Sequence, residues 1–387
     1  LNFLELKNVA LIPTEEQTML LESARDFLTT EGPISQLRQL RDTEDATGFS
    51  LALWKQFADM GFSGVLVPEA HGGMGLGYVE AGIVMDQIGR NLSATPFLAS
   101  NVVATAALLH GGSRAQQAFW LPRLVSGDAI ATLAVEEHTK HRPLHLALSA
   151  TPTAHGFILH GSKTFVLESH VADLLIVAAR RAGEPGDHEG ITLFLVDAKA
   201  DGVDIERTVM ADAHNAGRIR FSHVKVNSEA VLGPVDGGWA TLSAALNAGR
   251  AAAAAELLGL ADEAFARTVQ YLKERKQFDR LIGEFQALQH RAAQIYCELE
   301  ITRAAVAKAL SQLDADPSNA DEYVSIAKAR AGRTATLAVQ EAVQMHGGMG
   351  MTDEFDLGFF MKRARVLQEL FGDANFHLNQ LAQSRGY

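Results

Sequence analysis

The sequence predicts a multidomain α+β protein: an N-terminal helical domain, a middle antiparallel β-barrel or sandwich, and a C-terminal four-helix bundle. Three observations carry that prediction. Apolar residues recur at helical spacing through the first and last thirds of the chain. The middle third holds short apolar runs bounded by turn-formers, with no long helix between them. The chain has 387 residues, enough for two or three hydrophobic cores. The boundaries fall at 1–127, 128–235 and 236–387.

In the first segment, Thr14 precedes Glu15, Glu16 and Gln17, a helix start with a capping box. Met19, Leu20, Ala24, Phe27 and Leu28 follow at helical spacing. Leu51, Trp54, Phe57, Ala58 and Met60 form a second stripe, stopped by Gly61. Two further helices are expected near 78–91 and 97–110. Between these stripes lies the glycine-rich loop His71–Gly77. Its Gly73-x-Gly75-x-Gly77 spacing is not that of a dinucleotide fingerprint. The order of elements also lacks the strand–helix alternation a Rossmann fold needs.

In the middle segment, Leu144, Leu146 and Leu148 alternate as a half-buried strand does. Leu174–Val177 and Ile191–Val196 are apolar strand runs. Ile219 and Phe221, then Val224 and Val226, predict one strand interrupted by a bulge. In the last segment Phe285, Leu288, Ala292, Ile295, Leu299, Thr302, Val306 and Leu310 step by threes and fours. Leu258, Phe265, Val269 and Leu272 make a second stripe, and Val324, Ala327, Ala331 and Ala338 a third. Three such stripes must cover one another, which is a bundle.

Composition narrows the function. A net charge of −12 disfavours nucleic acid, whose phosphates need basic patches. The single cysteine, Cys297, excludes an internal disulfide and is expected to be a buried structural thiol. No histidine spacing makes a metal site: His138 and His141 lack a third ligand. No apolar run reaches the roughly 20 residues that span a bilayer. Leu1–Lys7 does not resemble a secretory leader, and the missing initial Met suggests a trimmed or alternative start. The expected compartment is the cytoplasm.

Three stretches resemble the acyl-CoA dehydrogenase family. Met60–Gly75, with Val67-Pro68-Glu69 and Gly72-Gly73, is similar to the family's early "vPe-x-x-GG-x-G" turn. Glu274-Arg275-Lys276-Gln277-Phe278, followed by Ile282-Gly283-Glu284-Phe285-Gln286, resembles "R-x-Q-F-G-x-P-I-x-x-F-Q". Gln344-Met345-His346-Gly347-Gly348-Met349-Gly350 resembles "Q-x-x-GG-x-G". The resemblance implies FAD, an acyl-CoA thioester as substrate, and a homodimer, homotetramer or heterotetramer with a paralogous subunit. It also suggests an electron-transfer flavoprotein as acceptor. Carried over, Arg275 would meet the FAD pyrophosphate from a neighbouring subunit, as forked guanidinium donors suit phosphate. Phe278 would lie beside the cofactor. Gln344, Gly347 and Gly348 would contact its adenosine half.

The departures from the family cluster where the chemistry is. Its "T-E-P-x-x-G-S-D" segment corresponds to Val135-Glu136-Glu137-His138-Thr139-Lys140-His141, with only Glu137 kept. Its "W-I-T" strand corresponds to Phe165-Val166-Leu167, which has lost the hydroxyl. The family's catalytic Glu sits in an "E-G-T" turn, and here that turn reads Phe371-Gly372-Asp373. Some members carry it just before an Arg on an earlier helix, and here that pair reads Gly249-Arg250. The remaining carboxylates considered as base are Glu136, Glu369 and Asp373, with no catalytic residue assigned. The Phe371–Ala374 turn with His377 also looks like members from bacterial steroid side-chain or dicarboxylic acid degradation. Some of those pair a base-bearing subunit with one that lacks the base. The expected functions are therefore an FAD-dependent acyl-CoA dehydrogenase, its non-catalytic partner subunit, or a same-fold flavin monooxygenase.

Overall fold

The structure is a computed structural model and describes residues 13–387. The expectation about Leu1–Lys7 lies outside the described residues. In chain order the helices are α1 (Glu15–Glu31), α2 (Ile34–Asp42), α3 (Leu51–Asp59), α4 (Tyr78–Asn91), α5 (Thr105–Gly111), α6 (Arg114–Val125), α7 (Trp239–Glu274), α8 (Gln286–Ala315), α9 (Asp321–His346), α10 (Leu357–Glu369) and α11 (Ala374–Ser384). The strands are β1 (Ala131–Ala134), β2 (Ser149–Thr153), β3 (Gly156–Leu167), β4 (Leu174–Arg180), β5 (Ile191–Asp197), β6 (Val203–Val209), β7 (Asn215–Asn227) and β8 (Val231–Leu232). A small hairpin, β9 (Lys276–Gln277) and β10 (Arg280–Leu281), follows α7. Two compact units result among the described residues: 13–38, 78–93 and 250–387, and 39–77 and 94–249.

The first unit is helical. The Thr14 hydroxyl accepts from the Gln17 amide at 3.2 Å, and Gln17 Oε1 accepts from the Thr14 amide at 3.0 Å. This is the capping box read from the sequence. The expected stripe on α8 is buried at Ile295, Leu299, Thr302, Val306 and Leu310, and that on α9 at Val324, Ala327, Ala331 and Ala338. Their hydroxyls meet inside the bundle, Thr302 and Thr334 lying 2.8 Å apart. A buried pair, Arg363 to Glu256 at 2.7 Å, ties α10 to α7. Where α4 crosses α7, glycines replace side chains. A Cβ on Gly259 would sit 2.0 Å from the Asp86 carbonyl, and one on Gly89 would sit 2.2 Å from that of Glu256. Cys297 is exposed on α8, not buried as expected. It falls off the Ile295–Leu299–Thr302 stripe, which the helical period alone decides.

The second unit combines helices with one sheet. Trp54, Phe57, Phe62 and Phe97 pack with ring centroids 5.1–5.5 Å apart. The sheet order is β6-β7-β3-β2-β4-β5-β8, with β1 beside β4. It does not close into the barrel the sequence suggested, because β6 and β8 are not hydrogen-bonded to each other. Nor is it wholly antiparallel: β1 runs parallel to β4, and β2 meets β4 in parallel at Ser149 and Arg180. The predicted interruption in β7 is present as register shifts against β3.

The strand expected at Leu144–Leu148 does not form. The alternation was real, since Leu146 and Leu148 are buried and His145 and Ala147 exposed. Here side chains make most of the bonds a neighbouring strand would supply. The Ala147 and Leu148 amides donate to Glu137 at 2.6 and 3.1 Å. The Leu144 and Leu146 carbonyls accept from the Arg180 guanidinium at 2.9 and 3.2 Å. Backbone groups must be paired, but not by another strand.

We expect Gly259→Ala to destabilise the protein by about 1–3 kcal/mol through overpacking, more than the helix propensity it gains. A urea titration should show a lower midpoint at unchanged slope. An unaltered midpoint would mean that α4 and α7 separate at little cost.

Candidate functional site

Two of the three motifs meet at one end of the bundle. Tyr271, near the end of α7, stacks on His346 at the end of α9, with ring centroids 4.2 Å apart and planes 25° apart. Phe355 closes on both rings edge-on. This stack holds the segment leading to Arg275 beside the Gln344–Gly348 turn. The β9–β10 hairpin after Arg275 presents Phe278 at its tip, 86% exposed and with φ of 53°. Arg280 lies over the Phe285 ring at 4.0 Å and stiffens the hairpin base. Arg275, Gln344, Gly347 and Gly348 are all exposed.

Gly347 ends α9 with φ of 61°. Gly348 has no positive φ, and a Cβ there would meet nothing within 4 Å. Nothing in this chain's own packing therefore calls for glycine at 348. A group approaching from outside would, because bare backbone lets a large polar ligand come close. An exposed guanidinium, an exposed aromatic ring and this glycine shelf are donors and surfaces suited to a dinucleotide.

The turn between α10 and α11 is where the family would carry its base. Phe371 is buried there at φ of 57°, followed by Gly372 at 106°. Two cations hold its backbone. Lys328, fully buried on α9, donates to the carbonyls of Leu367 at 2.9 Å, Gln368 at 3.1 Å and Gly372 at 3.1 Å. Arg250 Nε, on α7, donates to the Phe371 carbonyl at 3.2 Å. Burial lowers the Lys328 ammonium to about 7; the Arg250 charge adds to that, and Glu369 and Asp373 oppose it. Sequence reading missed Lys328. Its signal was available: Val324, Lys328, Ala331 and Ala335 step by four, three and four, so a lysine sits on the apolar stripe of α9.

Each candidate carboxylate has a structural partner. Glu369 pairs with Arg365 at 2.9 Å, one turn back on α10. Asp373 caps α11, accepting from the Phe376 amide at 2.8 Å. In the second unit, Glu136 is hydrogen-bonded to His141 Nδ1. Its neighbour Glu137 binds the buried Lys163 ammonium at 2.7 Å, besides the two amides above. Burial pushes Lys163 down and Glu137 opposes it. Phe165, in the strand that replaces the family's "W-I-T", is half-exposed with φ of 51°.

Family models match the chain in order. They are the acyl-CoA dehydrogenase N-terminal domain over residues 14–128, the middle domain over 134–224 and the C-terminal domain over 236–385. The chain belongs to the acyl-CoA dehydrogenase family. An acyl-CoA dehydrogenase of Bacillus subtilis (strain 168) is 30% identical over 362 residues, covering 92% of this chain and 94% of that one. Among solved structures, a variant of the Tcur3481-Tcur3483 steroid ACAD is 31% identical at a TM-score of 0.86, covering 95% of this chain and 97% of that one. The ChsE4-ChsE5 complex from Mycobacterium tuberculosis is 27% identical at 0.88, covering 97% and 98%. Members of the family are flavoprotein oxidoreductases acting on CH–CH bonds, so FAD is this chain's cofactor. Among the described residues no helix is long and apolar enough to cross a membrane.

The Lys328 clamp has a pH signature. Its folded value, about 7, lies below the usual lysine range, so between pH 7 and about 10.5 the unfolded chain binds more protons. Stability from this group therefore rises with pH across that window. Lys328→Met should destabilise the protein by at least about 1–3 kcal/mol, by stranding buried carbonyls. It should also flatten the gain in urea midpoint between pH 7 and 9. Parallel pH profiles for the two proteins would rule out a depressed Lys328.

Proposed function

We propose that this chain is the base-lacking subunit of a heteromeric acyl-CoA dehydrogenase that introduces an α,β double bond into an acyl-CoA thioester. The observation that carries the reading is Phe371. It fills the base turn with an apolar ring, while Glu369, Asp373 and Glu136 are each engaged elsewhere. Removing the α-proton needs a carboxylate within hydrogen-bond reach of the substrate. A paralogous subunit would supply it. Two similar structures, the Tcur3481-Tcur3483 steroid ACAD and the ChsE4-ChsE5 complex, each pair two differently named chains, which supports this arrangement.

In this reading FAD supplies the acceptor for the hydride leaving the β-carbon. The chain's own part is to bind and orient. Arg275 would donate to the pyrophosphate, Phe278 would cover an edge of the cofactor, and Gln344 with the Gly347–Gly348 backbone would hold the adenosine half. The segments 1–127, 128–235 and 236–387 would be its three family domains. A relative named as subunit CarC of the caffeyl-CoA reductase-Etf complex, from Acetobacterium woodii, is 29% identical over 367 residues. It supports an electron-transfer flavoprotein as the acceptor. We place the assembly in the cytoplasm.

Anaerobic titration of the purified chain with a panel of acyl-CoAs is the direct test. The flavin absorbance should stay unbleached for the chain alone and bleach once the base-bearing paralogue is added. Bleaching of the chain alone would replace this reading with a self-sufficient dehydrogenase. Phe371→Glu should raise acyl-CoA oxidation by the flavin-loaded chain about 10²–10⁴-fold, the usual contribution of a placed base. An inactive Phe371→Glu protein that holds flavin and acyl-CoA would show that this turn no longer faces the substrate. Arg275→Ala should lower the flavin content of the purified assembly, read from its absorbance ratio.

A further inference from the structure

The end of α7 and the end of α9 are tied together at two places. Arg267 and Tyr271 are four residues apart, so they share a face of α7. Tyr271 lies flat on His346, the last residue of α9, and Phe355 stands edge-on to both rings. Next to Phe355, Asp356 accepts from Arg267 at 3.0 Å and from Arg38 at 3.1 Å. The segment from His346 to Asp356 is therefore pinned to α7 at both of its ends. His346 is held within its own helix as well. Its Nδ1 donates to the Ala342 carbonyl at 2.7 Å, which fixes the plane of the ring. Burial lowers this imidazole below its ordinary range, and the Ala342 carbonyl opposes that shift. The stack is thus one neutral ring on another.

Between the two pins the chain is bare. A Cβ at Gly347 or at Gly348 would meet nothing within 4 Å. Gly350 turns back onto the helix end, where a Cβ would sit 2.8 Å from the Val343 carbonyl and 3.0 Å from the His346 Cβ. The glycine shelf is a short bridge fixed on both sides. The backbone at Arg275 is fixed too. Its amide donates to the Tyr271 carbonyl at 2.9 Å, and its carbonyl accepts from the Ile282 amide at 2.8 Å. Only its side chain is left outside, exposed and in no ion pair among the described residues. A cation on a fixed backbone beside a fixed bare shelf is ordered before any ligand arrives. Such ordering strengthens binding of a ligand that touches both.

We propose that Tyr271 and His346 are positioning residues for FAD: their stack presets the Arg275 guanidinium against the Gln344–Gly348 shelf, so that pyrophosphate and adenosine are gripped together. This role presupposes that Arg275 and the shelf meet the cofactor, as proposed above; it is independent of the base-lacking reading.

Release of FAD from the purified flavin-containing protein, followed by fluorescence on dilution, tests it. ADP, which carries adenosine and pyrophosphate without the flavin ring, is the second probe. Tyr271→Leu should weaken FAD and ADP alike, about two- to tenfold, the usual strength of an aromatic pair. His346→Leu breaks the same stack from α9 and should do the same. Tyr271→Phe keeps the ring and should hold both probes as the wild type does. The coupling separates positioning from general stability. In an Arg275→Ala background, Tyr271→Leu should lose most of its effect, because the stack then has no guanidinium to aim. Melting temperatures of the flavin-free proteins check folding; a folding defect would weaken binding equally with or without Arg275. Additive effects of the two substitutions would overturn this role and leave Arg275 a cofactor ligand. So would FAD and ADP held equally by Tyr271→Leu and wild type. An Arg275→Ala protein that keeps FAD as tightly as wild type would overturn both assignments. These readouts involve neither turnover nor flavin bleaching, so the catalytic reading fails separately.

Discussion

The bundle of the first unit is organised around a buried ammonium. Burying an unpaired lysine charge would be prohibitive, and Lys328 is tolerated because two carbonyls at the end of α10, Leu367 and Gln368, and one in the turn after it, Gly372, converge on it. Those carbonyls have the complementary need. The last turn of a helix leaves acceptors with no partner inside the helix, and the helix dipole makes that end negative. One side chain thus satisfies two acceptors of the last turn of α10 and ties them to the turn that follows. Arg250 then takes the next carbonyl, that of Phe371, and Asp373 starts α11 two residues later. Helices α7, α9, α10 and α11 are fixed to one another through this single turn.

A left-handed φ at an aromatic residue is strained, at a cost of the order of 1–3 kcal/mol, and persists where the surroundings over-determine it. Here they do. The carbonyls of Phe371 itself and of Gly372 are held by cations from other helices, and Lys328 also holds that of Gln368 before them, so the backbone cannot relax by moving residue 371 alone. The same device recurs in the second unit. The extended segment at Leu144–Leu148 is held by Arg180 and Glu137, and Glu137 is in turn anchored by the buried Lys163. In both places charged side chains act on backbone groups that regular secondary structure leaves unpaired.

That explains which parts were legible in the sequence. Period and capping are local properties, so the α1 cap, the stripes of α8 and α9, and the strand runs at 174–177 and 191–196, which lie within β4 and β5, could be read directly. The alternation at Leu144, Leu146 and Leu148 was also read correctly as burial. It failed as a strand because its partners are side chains from residues 137 and 180, which no local pattern reveals. Closure of the sheet depends on which edges meet, and strand composition does not encode that. Lys328 was legible only as an anomaly, a charge on an apolar stripe. The exposure of Cys297 turned on one step of helical phase. At the candidate site the motifs were readable, but the stack of Tyr271 on His346 that brings two of them together joins positions 75 residues apart in sequence.

On the proposed reading, the geometry bears on how a folded subunit can do without a base at this turn. If the turn had been shaped by its catalytic side chain, replacing that side chain would be expected to release the turn. Instead, what shapes it lies elsewhere: a lysine on α9, an arginine on α7 and an aspartate cap on α11. None of them depends on the chemistry of residue 371. The position is therefore free to exchange a carboxylate for an aromatic ring without rebuilding the bundle, and a phenyl group is well suited to it once no substrate proton must be taken. Burying Phe371 removes apolar surface from water, whereas an idle carboxylate at the same depth would have to be desolvated or protonated. A subunit relieved of proton abstraction would gain stability by that exchange, while its exposed Arg275 and Gly348, far along α7 and α9 from the turn in sequence, stay under a separate constraint.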